Sequence, residues 1–195
     1  MIIVQSPPPK RRTFLATKLP WLVFTVVALA ATAFGLNWAL IQAPVASLLA
    51  QDPRNSKVTT YAYARWGIDP STLVVDLRSI SGEASMTDVA RVLMQTASAL
   101  RSMQFSRVHL AYRGQARFMI EGVYFQQLGR DYGTENPLYT IRTMPENVYN
   151  LDGARVFDTW SGGLLGVMGK QMEDVGSFHR RWYMDSIIAE GRLRP

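Results

Sequence analysis

The sequence predicts an α+β protein, with one N-terminal transmembrane helix followed by one extracytoplasmic domain in which helices cover a small antiparallel sheet. Two observations predict this class. The stretch 21–41 contains no charged side chain. After residue 70 the chain changes from two-residue alternation to helical spacing and back, which gives a strand–helix–strand–strand unit. Such elements need a shared apolar face, and the sheet supplies it.

The apolar stretch WLVFTVVALAATAFGLNWALI is long enough to cross a membrane. As a helix it reaches about 30 Å, the thickness of a bilayer's hydrocarbon core. Trp21 and Trp38 lie near its two ends, where indole rings favour the membrane–water interface. Because the run exceeds the roughly 7–15 residues of a signal-peptide core, we predict an uncleaved transmembrane helix over residues 21–42.

The basic residues Lys10, Arg11, Arg12 and Lys18 all precede this helix. The positive-inside rule therefore places the arm 1–20 in the cytoplasm and the C-terminal domain outside, as in a bacterial inner-membrane protein with a periplasmic domain. We expect Pro44 to end the helix, residues 43–58 to be a linker, and residues 59–195 to be the domain.

Small residues recur at every fourth position of the predicted helix. They are Ala31, Gly35 and Ala39. Such spacing lets a second helix approach closely, so we expect this face to be available for a homo-oligomer.

Composition excludes several classes of function. Four of the 21 Lys and Arg residues precede the helix and all 15 acidic residues follow it. The domain is therefore nearly neutral, which argues against a nucleic-acid partner. There is no cysteine and there are only two histidines, so we predict no metal site and no cofactor.

The central unit has the clearest pattern. Leu73, Val75 and Leu77 alternate with polar positions, and Ser85 with Asp88 resembles a capping box at the start of a helix over 86–103. Strands over 107–112 and 116–121 follow, separated by a tight turn at 113–115. We expect the aromatic segment 59–66 to pack onto the domain.

The pattern is weaker after Gly122. It predicts a short helix that ends at Gly129 or Gly133, a strand over 138–142, and another helix start at 143–146. The segment 160–190 is predicted to be helical, with a break near Gly176.

The glycine-rich run 161–171 does not fit a phosphate-binding loop. That loop needs a glycine at position 164, where this chain has leucine, and Ser or Thr at position 171, where it has glutamine. We interpret these small residues as positions of close packing.

Basic residues gather on the predicted hairpin, and we consider them a candidate ligand site: Arg107, His109, Arg113 and Arg117. Convergent guanidinium groups bind carboxylates and phosphates. The same residues also fit a solvated sheet face, which we favour.

The C-terminal segment supplies the second candidate, a partner-binding surface. Its residues are Trp160, His179, Arg181, Trp182 and Tyr183, and aromatic residues with arginine are typical of binding hot spots. A hydrolase alternative would use His179 as general base, with Asp158 or Asp174 and a hydroxyl of Ser161 or Ser177. No Gly-x-Ser-x-Gly elbow accompanies these serines.

We therefore expect a non-catalytic envelope protein whose outer domain is a protein–protein interaction or assembly module. The alternatives are the membrane-tethered hydrolase at His179 and a small-anion-binding module at Arg107, Arg113 and Arg117.

Overall fold

The computed structural model describes residues 15–191 and confirms the α+β class, with a four-stranded sheet and helices. The predicted cytoplasmic arm lies mostly outside the described residues. The strands are β1 (Val58–Arg65), β2 (Asp69–Ile80), β3 (Arg107–Tyr112) and β4 (Gln115–Glu121). The helices are α1 (Leu15–Asn37), α2 (Ala43–Ala50), α3 (Met86–Ala99), α4 (Gly122–Asp131), α5 (Pro137–Thr143), α6 (Leu164–His179) and α7 (Asp185–Ala189).

The sheet is mixed, so the prediction of an antiparallel sheet is wrong for its central pair. Strand order is β1-β2-β3-β4, and only the two outer pairs are antiparallel. Strands β2 and β3 run parallel because α3 connects them as a crossover helix. A crossover of this kind returns the chain to the starting end of the sheet, whereas a tight hairpin reverses it.

One face of the sheet packs with α3 in a single core. Leu73, Val75 and Leu110 are fully buried and belong to the same cluster as Leu93 of the helix. The predicted capping box is confirmed, since the Asp88 N–H donates to Ser85 Oγ and the Ser85 N–H donates to Asp88 Oδ2. This cap fixes the start of α3 over the sheet.

The prediction that Pro44 ends the apolar helix is wrong. A π-helical turn, Trp38–Gln42, follows α1, and α2 continues directly from it to Ala50. Pro44 follows this turn at the start of α2, and the helix continues through it. Residues predicted as a linker therefore enter the fold, and Val45 is fully buried.

Other local predictions need correction. Residues 138–142 belong to helix α5 rather than to the predicted strand, whereas the aromatic segment 59–66, expected to pack onto the domain, joins its sheet: the residues up to Arg65 lie in β1, and Trp66 lies in the turn that follows. Asn136 caps α5, and Pro137 occupies its first turn. The break in the last helical segment is a π turn at Arg180–Met184 and not a kink near Gly176.

Both hairpins turn on a pair of left-handed residues. Trp66 and Gly67 have φ of 56° and 77°, and Arg113 and Gly114 have φ of 51° and 80°. Two consecutive positive φ values define the type I′ turn, whose twist matches that of the flanking strands. The bulky Trp66 is an unusual residue for this conformation.

Both edges of the sheet are covered. On the β4 edge, Met119 exchanges two backbone hydrogen bonds of 2.9 Å with Tyr149. On the β1 edge, the Ala62 N–H donates to Gln42 Oε1 and the Ala64 N–H donates to Asn37 Oδ1, both at 2.7 Å. Side-chain amides from the apolar helix therefore replace a neighbouring strand.

We expect Gln42→Ala to increase hydrogen exchange at the Ala62 amide by roughly fivefold, because a hydrogen bond contributes about 1 kcal/mol net. The measurement is hydrogen–deuterium exchange of the full-length protein in detergent micelles. Gln51→Ala is the matched control, since Gln51 is exposed near the end of the same helical segment. Unchanged exchange at Ala62 would contradict the role of Gln42.

Candidate functional site

The structure places three residues of the predicted C-terminal binding surface in the core. His179, Trp182 and Tyr183 are 1%, 0% and 3% exposed. The Trp182 indole donates to the Ala111 carbonyl at 3.2 Å and stacks on Phe178 with ring centroids 5.2 Å apart. These side chains hold the last helices on the sheet, so in this fold they present no surface to a partner.

The sequence contains a signal for this burial that the prediction of a binding surface does not use. Phe178, His179, Trp182 and Tyr183 follow an i, i+1, i+4, i+5 spacing. That spacing places four side chains on one helix face, as expected for a helix packed against a core.

His179 lacks the partners that a general base needs. Its ring contacts the rings of Phe178, Trp182 and Tyr183 at centroid distances of 5.1, 6.3 and 5.6 Å. Its Nδ1 is buried and, among the described residues, has no hydrogen-bond partner. Burial lowers the pKa of His179 to about 4, so the ring is neutral near pH 7.

Asp174, one of the two carboxylates proposed for the hydrolase, is hydrogen-bonded to a tryptophan. Asp174 Oδ2 accepts a hydrogen bond of 2.6 Å from the indole of half-buried Trp160. The Lys170 ammonium lies above the ring of the same tryptophan. Arg181 remains exposed, with its guanidinium over the rings of Phe118 and Phe157. The expected set of five residues therefore divides into core and surface, and His179 and Asp174 form no catalytic pair.

The basic candidates on the hairpin do not all lie together. Arg107 begins β3 and Arg113 directly follows its other end, roughly 20 Å away along the strand direction. Arg113 forms an ion pair with Glu190, and Arg117 Nη2 donates to Ser186 Oγ at 3.2 Å. Both arginines thus contact the segment of α7, and the shared anion site stays a prediction.

His109 is buried instead of lying on a solvated face. It is 8% exposed and faces away from α3. Burial is the main cause that lowers the pKa of His109, and the nearby charges of Arg65 and Arg107 lower it further. A neutral imidazole in this position adds no positive charge to a ligand site.

A polar network joins the end of the apolar helix to the domain. Asn55 Nδ2 donates to the Leu49 carbonyl and to Gln95 Oε1. Gln95 Nε2 in turn donates to Tyr132 at 2.6 Å and to Asp52 at 3.2 Å. Side-chain hydrogen bonds therefore connect α2, α3 and α4. These polar groups keep their partners only if the end of the apolar helix stays in this position relative to the domain.

A groove of about 690 Å³ runs between the apolar helix and the β1–β2 hairpin. Its helix side is formed by Ala30, Ala33, Phe34, Asn37, Trp38, Gln42 and Ala46. Its sheet side is formed by Tyr61, Ala62, Tyr63, Trp66, Gly67, Ile68 and Arg78. A 2.6 Å hydrogen bond from Asn37 Nδ2 to the Gly67 carbonyl fixes the hairpin tip beside the helix.

A second unusual surface lies on the N-terminal half of α6. Leu164, Leu165, Met168 and Met172 are 71%, 85%, 37% and 54% exposed; we call these four residues the α6 apolar stripe. Gly166 and Gly169 lie among these residues, and a Cβ atom added at either glycine would have no neighbouring atom within 4 Å. The run interpreted as close packing is thus open to solvent within this chain.

In the part of the chain that the structure covers, no three His, Cys, Asp or Glu side chains are grouped as metal ligands. The Ala31, Gly35 and Ala39 face of the apolar helix is exposed. Helix pairing through it stays a prediction.

The stability of the domain should depend on His179 between pH 6.5 and 4. An unfolded histidine has a pKa near 6.5, so in this window the unfolded chain binds a proton that the buried ring does not. The free energy of unfolding should therefore fall as the pH decreases, by roughly 1 kcal/mol per pH unit. Urea titrations of the full-length protein in micelles should show a shallower dependence for His179→Leu. His109→Leu is the control, in which the contribution of His179 to this pH dependence should remain. If His179→Leu left the pH dependence of the free energy of unfolding unchanged, the burial of His179 as a neutral ring would be contradicted.

No protein-family model, curated protein or solved structure matches this chain. Its function therefore has to follow from the geometry of the helix junction, the groove and the α6 apolar stripe.

Proposed function

We propose that this chain is a single-pass membrane protein whose outward-facing domain binds another envelope protein through the α6 apolar stripe. One observation carries the membrane location. The helical segment Pro20–Ala50 is long and apolar enough to cross a membrane, with a mean hydropathy of 1.8, and only 6% of its most apolar part is buried within the chain. The core helix of a soluble domain would be mostly buried.

The exposed side chains of α1 are those expected to face lipid. Trp21, Leu22 and Phe24 are 74%, 63% and 67% exposed, and Phe34 is 74% exposed. Leaving such a surface in water would be costly, since each large apolar side chain gains about 1.5–3 kcal/mol on burial. A bilayer supplies that burial along the whole first part of the helix.

Retention of the helix is supported by its second part, which belongs to the domain. Ile41 and Val45 are 5% and 0% exposed within the core cluster. Asn37 and Gln42 supply the acceptors for edge strand β1. Cleavage beyond residue 40 would therefore remove part of the core. A signal peptide that is joined to its domain by a linker contributes nothing to the core, so its cleavage has no such effect.

The α6 apolar stripe supports a protein partner. Monomeric proteins seldom expose several large apolar side chains together unless they bind something. The neighbouring charges, Lys170 and Glu173, pair with each other at 3.2 Å. The surface is therefore apolar with a neutral rim, as in the centre of a protein–protein interface.

The hydrolase and anion-binding alternatives receive less support. His179 is enclosed by aromatic rings, and Arg113 and Arg117 bind residues of the same chain. The interaction module therefore remains the function that we propose, with its binding surface moved from Trp182 to α6.

The orientation can be tested with a reporter enzyme that is active only in the cytoplasm, fused after Pro195. We expect no activity, because the basic residues precede the helix. The control moves positive charge to the other side of the helix, by substituting Lys10, Arg11 and Arg12 with Ala and the exposed Gln51 and Ser56 with Lys. These positions are close enough to the helix to orient it, so this variant should show some activity. Strong activity of the unaltered fusion would contradict the outward orientation.

The binding surface can be tested by site-specific photocrosslinking in native membranes. A crosslinker at Met168 should give a defined adduct, whereas one at Val123, which is 71% exposed on α4, should not. Leu165→Glu should abolish the Met168 adduct because it places a charge in the apolar contact. Val123→Glu is the matched control and should leave it intact; loss in both variants, or in neither, would contradict the assignment.

A further inference from the structure

We infer that the groove between the apolar helix and the β1–β2 hairpin binds one phospholipid of the outer leaflet. The acyl chain would lie against α1 and the phosphate would lie near Arg78. This inference rests on the membrane location proposed above and concerns a different surface from the α6 apolar stripe.

The groove has the polarity of a phospholipid. Its membrane-proximal part is lined by Ala30, Ala33 and Phe34, which offer only apolar atoms. At the other end the polar group of the lining is the Arg78 guanidinium, since the amide oxygens of Asn37 and Gln42 already accept hydrogen bonds from β1. An amphipathic molecule is therefore matched along its length, whereas a wholly apolar helix from a partner would leave the polar end poorly matched.

The length of the groove also fits. Its helix residues run from Ala30 to Ala46, about 24 Å along the helix axis. One leaflet contributes about 15 Å of hydrocarbon. The groove therefore extends from the hydrocarbon into the headgroup layer, as a lipid molecule does.

The hairpin tip has the chemistry of an interfacial anchor. Trp66 and Ile68 are 74% and 73% exposed, and the Arg65 guanidinium lies 3.9 Å from the centre of the Trp66 ring. Asn37 holds Gly67 at the height of Trp38, near the outer end of the apolar stretch. Tryptophan favours this level of a bilayer, which explains a bulky exposed residue in the left-handed conformation of the turn.

Among the residues that the structure describes, Arg78 is the one charged residue in the groove lining. Its Nη2 lies 2.9 Å from the buried carboxylate of Asp76, and its guanidinium is 5.7 Å from the centre of the Tyr61 ring. The side chain nevertheless remains 41% exposed. A guanidinium has five N–H donors, so Arg78 can bind a phosphate oxygen while it keeps its ion pair with Asp76.

The experiment is native mass spectrometry of the full-length protein, purified in mild detergent with phosphatidylglycerol. We expect one retained phospholipid per protein. Ala30→Phe fills the groove and should lower the retained fraction about tenfold, the loss expected when about two methylene groups lose their burial. Diacylglycerol with the same acyl chains, which has no phosphate, should be retained far less well.

Ala28→Phe is the matched control. Ala28 lies two residues away and about 200° around the helix, where it is exposed and outside the groove. Equal lipid retention by both variants, or diacylglycerol retained as well as phosphatidylglycerol, would overturn the inference. So would a crosslinker at Ile68 that forms an adduct with protein instead of lipid.

Membrane fractionation separates the two proposals. A protein in the membrane fraction with no groove-dependent lipid would overturn the lipid site alone. A protein absent from the membrane fraction would overturn the proposed membrane location and the lipid site with it.

Discussion

The structure depends on one requirement, which is that the outer edge of strand β1 must find hydrogen-bond acceptors. A strand at the edge of a sheet exposes a row of N–H groups, and uncovered edges pair with other chains. Here Asn37 and Gln42 accept from Ala64 and Ala62, each at 2.7 Å. The element that completes the sheet is therefore the apolar helix itself.

The π turn makes this arrangement possible. Asn37 and Gln42 are five residues apart, and an α-helix would direct them to different sides. In the turn Trp38–Gln42 the Ala43 N–H bonds to the Trp38 carbonyl, five residues back. This wider turn brings residues with that separation close together. The same turn allows Pro44 to follow without ending the helix, so Val45 reaches the core.

The attachment of the helix explains where the candidate surfaces lie. Because α1 leaves the domain along the β1 edge, the hairpin at Trp66 is held beside the C-terminal end of the apolar stretch, and the groove forms between them. The α6 apolar stripe lies on an element attached to the opposite part of the sheet, where Phe178 of α6 packs against Phe118 of β4. A lipid and a protein partner could therefore bind without competing for the same side chains.

The sequence by itself determined the elements with strong local signals. Charge-free length identified the apolar helix, alternation identified β2, β3 and β4, and the Ser85–Asp88 capping box fixed the start of α3. These signals depend on residues close together in the chain. Only the tertiary structure decided which way β2 and β3 pair, whether Trp182 is core or surface, and whether Arg107, Arg113 and Arg117 meet. Each of these depends on contacts between distant residues: the crossover of α3, the packing of Phe178 and Trp182 on the sheet, and the ion pair between Arg113 and Glu190. Pro44 is a further example of a local signal that distant contacts override. Proline usually ends a helix, but here the helix continues, because a π turn that is stabilised by the β1 edge precedes it.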